Sequence, residues 1–286
     1  MSGPTSQSLT GLEPLAESIA KPSRRSPASP VVMSWIVLLV SILYFGLPLV
    51  GTLIFSLRAQ PFGEAYKMMV SDGQLFKDLG YSFVIAIITV LVSIGLLVPT
   101  AFWVRLRLPR LRPIIEFITL LPFVIPPIVL VYGLLSTFSG PPLALTGSNL
   151  GSDALLVCAY VVLSFPYMYR SIDAGLRVID IRTLTEACQS LGAGWFTVLW
   201  RVILPNLRVA ILSGAFLTLA IVVGEFTVAI FLARPMFATY LQLISQTQAY
   251  ESAAVALMSF AITWAAMGVI SLIGRGRQEK IIAGVH

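Results

Sequence analysis

The feature that most constrains this chain is a set of long apolar runs almost free of charge: Val31 to Leu57, Tyr81 to Val104, Ala154 to Tyr169 and Ala253 to Ile273. Written as helix, runs of this kind cross about 30 Å of hydrocarbon while satisfying every backbone N–H and C=O internally. Two further runs carry one acid each, Ile114 to Leu135 with Glu116 near one end and Val209 to Leu232 with Glu225. With 57% hydrophobic and 11% charged residues, an ordinary soluble domain is excluded. The expectation is an all-α membrane protein of six transmembrane helices.

Lys and Arg collect in cytoplasmic connections, so their distribution sets the orientation. With six spans and the N-terminus inside, the cytoplasmic segments hold Lys21, Arg24, Arg25, the group Arg105, Arg107, Arg110 and Arg112, then Arg170, Arg177, Arg182, Arg201, Arg208, Arg275, Arg277 and Lys280. Only Arg58, Lys67, Lys77 and Arg234 fall on the other side. Both termini are therefore expected in the cytoplasm, and the net charge of +6 reads as a topology signal and not as a nucleic-acid footprint. Residues 1–30, rich in Ser and Pro, read as a flexible cytoplasmic tail. The permease domain is placed at 31–274 and a cytoplasmic C-terminal tail at 275–286. A cleavable leader is not expected, because the first apolar run begins thirty residues in and exceeds the length of a signal h-region.

Catalytic chemistry finds little to work with. The only histidine is His286, no Cys or His cluster could hold a metal, and no lysine follows a glycine as a phosphate-binding P-loop requires. If ATP drives this protein, another chain binds it, together with its Mg; no cofactor is expected on this one. Cys158 and Cys188 fall in different environments and form no disulfide framework.

Prolines stand inside the apolar runs at Pro48, Pro99, Pro122, Pro126, Pro127 and Pro166. Within a helix each removes a backbone bond and kinks the axis. In "LPFVIPPIVLVYG", Leu121 to Gly133, three prolines within six residues must interrupt the third span near its middle.

One polar stretch separates spans four and five: "TEACQSLGAGWFTVLWRVILP", Thr185 to Pro205. Asp180 is placed to cap a helix starting near Ile181 or Thr183, and Thr183 with Glu186 has capping-box spacing. Ile181, Leu184, Cys188 and Leu191 recur at helical period, with Arg182, Thr185, Glu186 and Gln189 away from that stripe. Gly192 and Gly194 then stop the helix. A second amphipathic piece presents Trp195, Val198, Leu199 and Val202 on one side until Pro205, where the fifth span is expected to begin.

Glu186, Ala187, Cys188, then Gly192, then Val202, Leu204 and Pro205 match the spacing of the "EAA" loop of permease subunits of binding-protein-dependent ABC importers. The chain departs from it with Cys188 in place of a second alanine and Val202 in place of isoleucine. The resemblance extends over roughly Tyr81 to Ile273, including "FPYMYRSIDAGLRVID" and "GEF", Gly224 to Phe226. It implies the six-helix type I ABC importer permease fold with a cytoplasmic coupling helix in the inner membrane of a bacterium. It also implies that Leu184, Glu186, Ala187, Cys188, Leu191, Gly192 and Pro205 serve contact with an ATP-binding cassette ATPase. Further implied partners are a second permease subunit, identical or not, an external substrate-binding protein and the lipid bilayer.

Glu225, Pro126 and Pro127 are candidates for the translocation path or its gate. Glu225 stands seventeen residues beyond Arg208, about 25 Å along a continuous helix, where an acid needs a partner or a wet cavity. Among family branches the chain looks most like the one that includes spermidine/putrescine, ferric iron, sulfate, molybdate and phosphonate permeases. The expected cargo is a polyamine or related small organic solute, with ferric iron and aminoethylphosphonate as alternatives. An ion-coupled secondary transporter would need several intramembrane charges and an internal repeat, of which the chain shows little.

Overall fold

A computed structural model describes residues 28–59 and 63–282, and side chains through residue 265 with few exceptions. Most of the expected tail, residues 1–27, lies outside the described residues; 28–30 already belong to the first helix. The chain divides into two compact units at Gly51/Thr52.

The first unit is most of α1, Ala28–Ser56, with Pro48 inside it. In the second unit α2, Glu64–Ser71, sets Ala65 against Ala254 in a small cluster. Next come α3, Gly73–Leu106, α4, Arg112–Val124, α5, Pro127–Phe138, and α6, Asn149–Val178. Then follow α7, Ile181–Ser190, α8, Trp195–Asn206, α9, Arg208–Gly224, α10, Thr227–Phe231, α11, Phe237–Ser245, and α12, Ala249–Ile282. Helix α12 runs on past the point where a separate C-terminal tail was placed.

Among the described residues three helices are long and apolar enough to cross a membrane, or five if each bent pair counts as one span. The first bent pair is the proline-interrupted third run, where the axis turns by 97° between α4 and α5. Ile125 is extended, Pro126 stands at ψ 141°, and Pro127 opens α5. This is the interruption that the prolines require, sharper than a kink because two consecutive residues leave helical geometry. The second pair, α8 and α9, turns by 74°. α12, read from sequence as the sixth span, is 34 residues long.

The core lies where α6 packs along α3 and α9. Leu97, Val98 and Phe102 of α3 meet Met168, Ile172 and Leu176 of α6 in one buried cluster. Close approach comes from small residues: a Cβ at Gly175 would stand 2.5 Å from the Ala210 Cβ, and one at Gly214 would stand 2.8 Å from Met168 Sδ. In lipid, where hydrophobicity does not drive helices together, such backbone proximity supplies the packing energy. A buried hydrogen bond between Ser93 Oγ and Ser164 Oγ, 2.9 Å, ties α3 to α6.

Candidate functional site

Helix α7 begins where the sequence places it. Asp180 accepts from the Thr183 amide at 3.2 Å and from the Thr183 hydroxyl at 2.7 Å. The hydroxyl bond, then the amide bond, hold the Asp180 carboxyl below the usual carboxylate range. Thr183 thus completes this cap instead of starting a capping box of its own.

The helix ends in a Schellman motif. Gly192 N–H donates to Gln189 O at 2.9 Å, Ala193 N–H donates to Cys188 O at 3.0 Å, and Gly192 sits at φ 82°. The pattern needs a left-handed residue at this position, which glycine adopts without a Cβ penalty.

The two faces of α7 differ from the expected stripe at two places. Ile181 is buried and Leu184 and Cys188 half-buried, as read, but Thr185 is also buried, at 2% exposed. Its hydroxyl is satisfied by Ile181 O at 2.6 Å, so a polar residue enters the inner face without an orphan donor. Leu191 faces outward at 88% exposed. Glu186 and Ala187 share the exposed side, and Glu186 pairs with Arg182 at 3.3 Å.

In α8 the residues Val198–Ile203 form a π-helix, one residue wider per turn than α. The expected 3.6-residue period puts Val202 inward; the wider turn buries Ile203 instead, beside Val198 and Leu199. The chain bends at Leu207, two residues beyond the expected boundary, and Pro205 is exposed within α8. Trp195 anchors the start of this piece. It lies 5.1 Å from the Trp103 ring, and the Arg107 guanidinium stands 4.8 Å from its centroid.

Sequence reading assigns Asp173 a helix-surface pair with Arg170 and Arg177. The structure buries Asp173, 7% exposed, and makes it the hub of a larger network. Its Oδ2 accepts from Arg177 Nη2 at 2.7 Å and from Arg112 Nη2 at 3.2 Å, and its Oδ1 from Arg105 Nη1 at 3.2 Å. One carboxylate thereby joins α3, α4 and α6 at the end of the bundle that carries α7. Arg170 is not among its partners.

Glu225 does not lie in a continuous helix. α9 stops at Gly224, Glu225 is extended, and its carboxylate accepts from the Thr227 amide at 2.8 Å and the Val228 amide at 2.9 Å, capping α10. Tyr160 donates to the Glu225 carbonyl at 3.4 Å. Both carboxylate oxygens thus satisfy donors that the break exposes. Glu225→Gln is expected to cost about 1 kcal/mol of stability, with a uniform fall in uptake rate. A selective rise in the transport Michaelis constant for a cationic solute would instead assign the acid to the cargo.

A second ionic knot, also missed from sequence, lies toward the other end of α3. Arg234 pairs with Asp153 at 2.6 Å, donates to Tyr81 Oη at 3.1 Å and to Asn149 Oδ1 at 3.0 Å, while Tyr81 donates to Asp153. Ala233, at φ 52°, sets the turn that delivers Arg234.

A bundle of broken and continuous apolar helices, with a capped amphipathic helix and a glycine elbow between two of them, defines a transporter membrane subunit. The chain belongs to the family described as binding-protein-dependent transport system inner membrane component, whose model matches residues 97–280. It is similar to the molybdenum transport system permease protein ModB of Azotobacter vinelandii, 33% identical over 140 residues, covering 46% of this chain and 61% of that protein. It is also similar to the spermidine/putrescine transport system permease protein PotC of Escherichia coli K12, 26% identical over 204 residues, covering 68% of this chain and 74% of that one. Its fold matches a bacterial ABC transporter that imports the acidic polysaccharide alginate, with TM-score 0.67 at 15% identity over 92% of this chain and 99% of the other. The chain is an ABC importer permease with the type I fold.

Proposed function

We propose that α7 is the coupling helix through which a separate ATPase subunit drives this permease. The observation that carries the reading is the division of α7 into two faces. Ile181, Leu184, Thr185 and Cys188 key it to its own bundle, while Glu186, Ala187 and Leu191 stand outward beside an elbow fixed by Gly192. A rigid, capped helix with an outward apolar and acidic face suits docking into another protein. That end of the bundle is then cytoplasmic, consistent with the arginines gathered there, and both termini lie inside. The other partners are a second permease subunit and an external binding protein that delivers the solute.

Glu186→Ala removes a carboxylate whose pair is exposed, so stability should change by less than about 0.5 kcal/mol while uptake falls sharply. Gly192→Asp forces a side chain into left-handed backbone, at about 1 kcal/mol, and places a charge at the elbow. Membrane insertion, ATPase co-purification and uptake should be measured together; normal uptake by either variant in an assembled complex refutes the role. For orientation, single cysteines at positions 73 and 146, in a background lacking Cys158 and Cys188, should react with an impermeant thiol reagent on intact cells, and those at 107 and 192 should not. Reaction at 192 from outside would overturn the topology.

For the cargo, a polyamine or related small organic solute keeps the support of the spermidine/putrescine relative. A molybdate-like oxyanion is the second reading. It is favoured by the molybdenum relative and by the commitment of the Glu225 carboxylate to two backbone amides, which leaves no role for it in attracting a cation. Competition for uptake between spermidine and molybdate in cells carrying the complete importer separates the two.

A further inference from the structure

We propose that the cavity between α4 and α6 beside Asp173 binds a tetrahedral oxyanion, supplied either as a free inorganic anion or as the phosphate of an anionic phospholipid. The cavity is about 340 Å³ and is lined by Tyr169, Arg170, Asp173 and Arg177 of α6 and by Glu116 and Thr119 of α4.

Tyr169 is 3% exposed and lines this cavity, yet its hydroxyl has no hydrogen-bond partner among the described residues. The residue as a whole is buried but its hydroxyl oxygen stays accessible, so it is free to donate to a ligand in the cavity without a penalty in the empty protein.

The charges around it fix the ligand's sign. The lining holds two guanidinium groups, Arg170 and Arg177, and two carboxylates, Asp173 and Glu116, while Arg105 and Arg112 reach Asp173 from beside the cavity and bring the guanidinium groups to four. Asp173 is saturated by three of those arginines, and one oxygen of Glu116 accepts from Arg112 Nε at 2.9 Å. Arg177 reaches Asp173 through Nε and Nη2, which leaves Nη1 to donate elsewhere. Arg170 forms no ion pair among the described residues. The Thr119 hydroxyl is already spent on the Glu116 carbonyl at 2.9 Å.

The donors left over are therefore two guanidinium groups and one phenol around a space that holds a small anion, the combination that binds oxyanions by charge-assisted hydrogen bonds. Four guanidinium groups around two carboxylates favour an anion over a cation. Basic pockets between helices at the cytoplasmic surface also receive phospholipid head groups, which is why the same chemistry has two sources.

The test uses the purified full-length chain and reads binding without uptake, so it stands apart from the coupling and cargo readings. Tyr169→Phe and Arg170→Gln each remove one donor that takes no part in the Asp173 network, and both should match the parent in thermal unfolding without added anion. Inorganic sulfate is titrated by calorimetry in detergent, against sodium chloride at equal ionic strength. Retention of phosphatidylglycerol over phosphatidylcholine is measured by mass spectrometry of lipids bound after nanodisc reconstitution. Sulfate binding that weakens about tenfold in each variant assigns a free anion. Selective phosphatidylglycerol retention, lost to a similar degree in the variants with no response to sulfate, assigns the lipid. Failure of the parent to bind either probe, or binding indifferent to both substitutions, overturns the site.

Discussion

Asp173→Asn is expected to destabilise the protein by about 3 kcal/mol. The amide keeps the shape but removes the charge that three guanidinium groups share, leaving cations crowded at a largely buried point. The figure stays at the low end for a broken buried pair because the arginine side chains remain 27%, 36% and 56% exposed and water partly screens them. Thermal unfolding in detergent measures it. Adding Arg105→Gln to Asp173→Asn should recover part of the loss, since it relieves the repulsion; a double variant less stable than the sum of the singles would show that charge is not the cause.

The second large effect is steric. Gly175→Ala places a methyl 2.5 Å from the Ala210 Cβ and 2.9 Å from Leu207 Cδ2, so α6 and α9 must separate. Overpacking of this kind costs about 1–3 kcal/mol, and here it acts where α6 packs along α9 in the core. Moving the methyl instead of adding one should reverse most of it: Gly175→Ala with Ala210→Gly leaves only the flexible end of Leu207 to adjust. Unfolding midpoints of the two single variants and the double variant decide the matter, and a double variant no better than Gly175→Ala alone would place the strain elsewhere.

What the sequence disclosed follows from range. Helix α7 was legible because its signals are local: an aspartate at the cap, apolar residues at a 3.6 period, and a glycine where the chain must turn left-handed. The broken third span was legible because three prolines leave no alternative. The Asp173 hub was legible only in its i,i+4 half, since Arg105 and Arg112 reach it across 68 and 61 residues and no periodicity announces such a meeting. Thr185 was misplaced because a bond to the preceding turn hides its polarity. Glu225 was read into a helix because an acid within an apolar run looks intramembrane. The available signal was Gly224 just before it and Thr227 just after, a break followed by new amides to cap, but glutamate is an unusual cap and the pattern is faint.

The π-turn at Val198–Ile203 carries a consequence for how this chain tolerates insertion and deletion. Each residue of an α-helix advances the chain by about 100° around its axis. The wide turn already holds one residue more than ordinary helix would over the same rotation, so removing one residue here would restore ordinary helix and leave Trp195 at nearly the same bearing on α9. An added residue has no such turn left to absorb it and would rotate everything before it by roughly 100°. The indole would then leave Trp103, and the elbow would carry Glu186 and Ala187 to a different compass bearing. The direction in which α7 shows its outer face is thus set by a count of residues and not by the chemistry of any one of them, so within this stretch a substitution or a single deletion should be tolerated far better than an insertion.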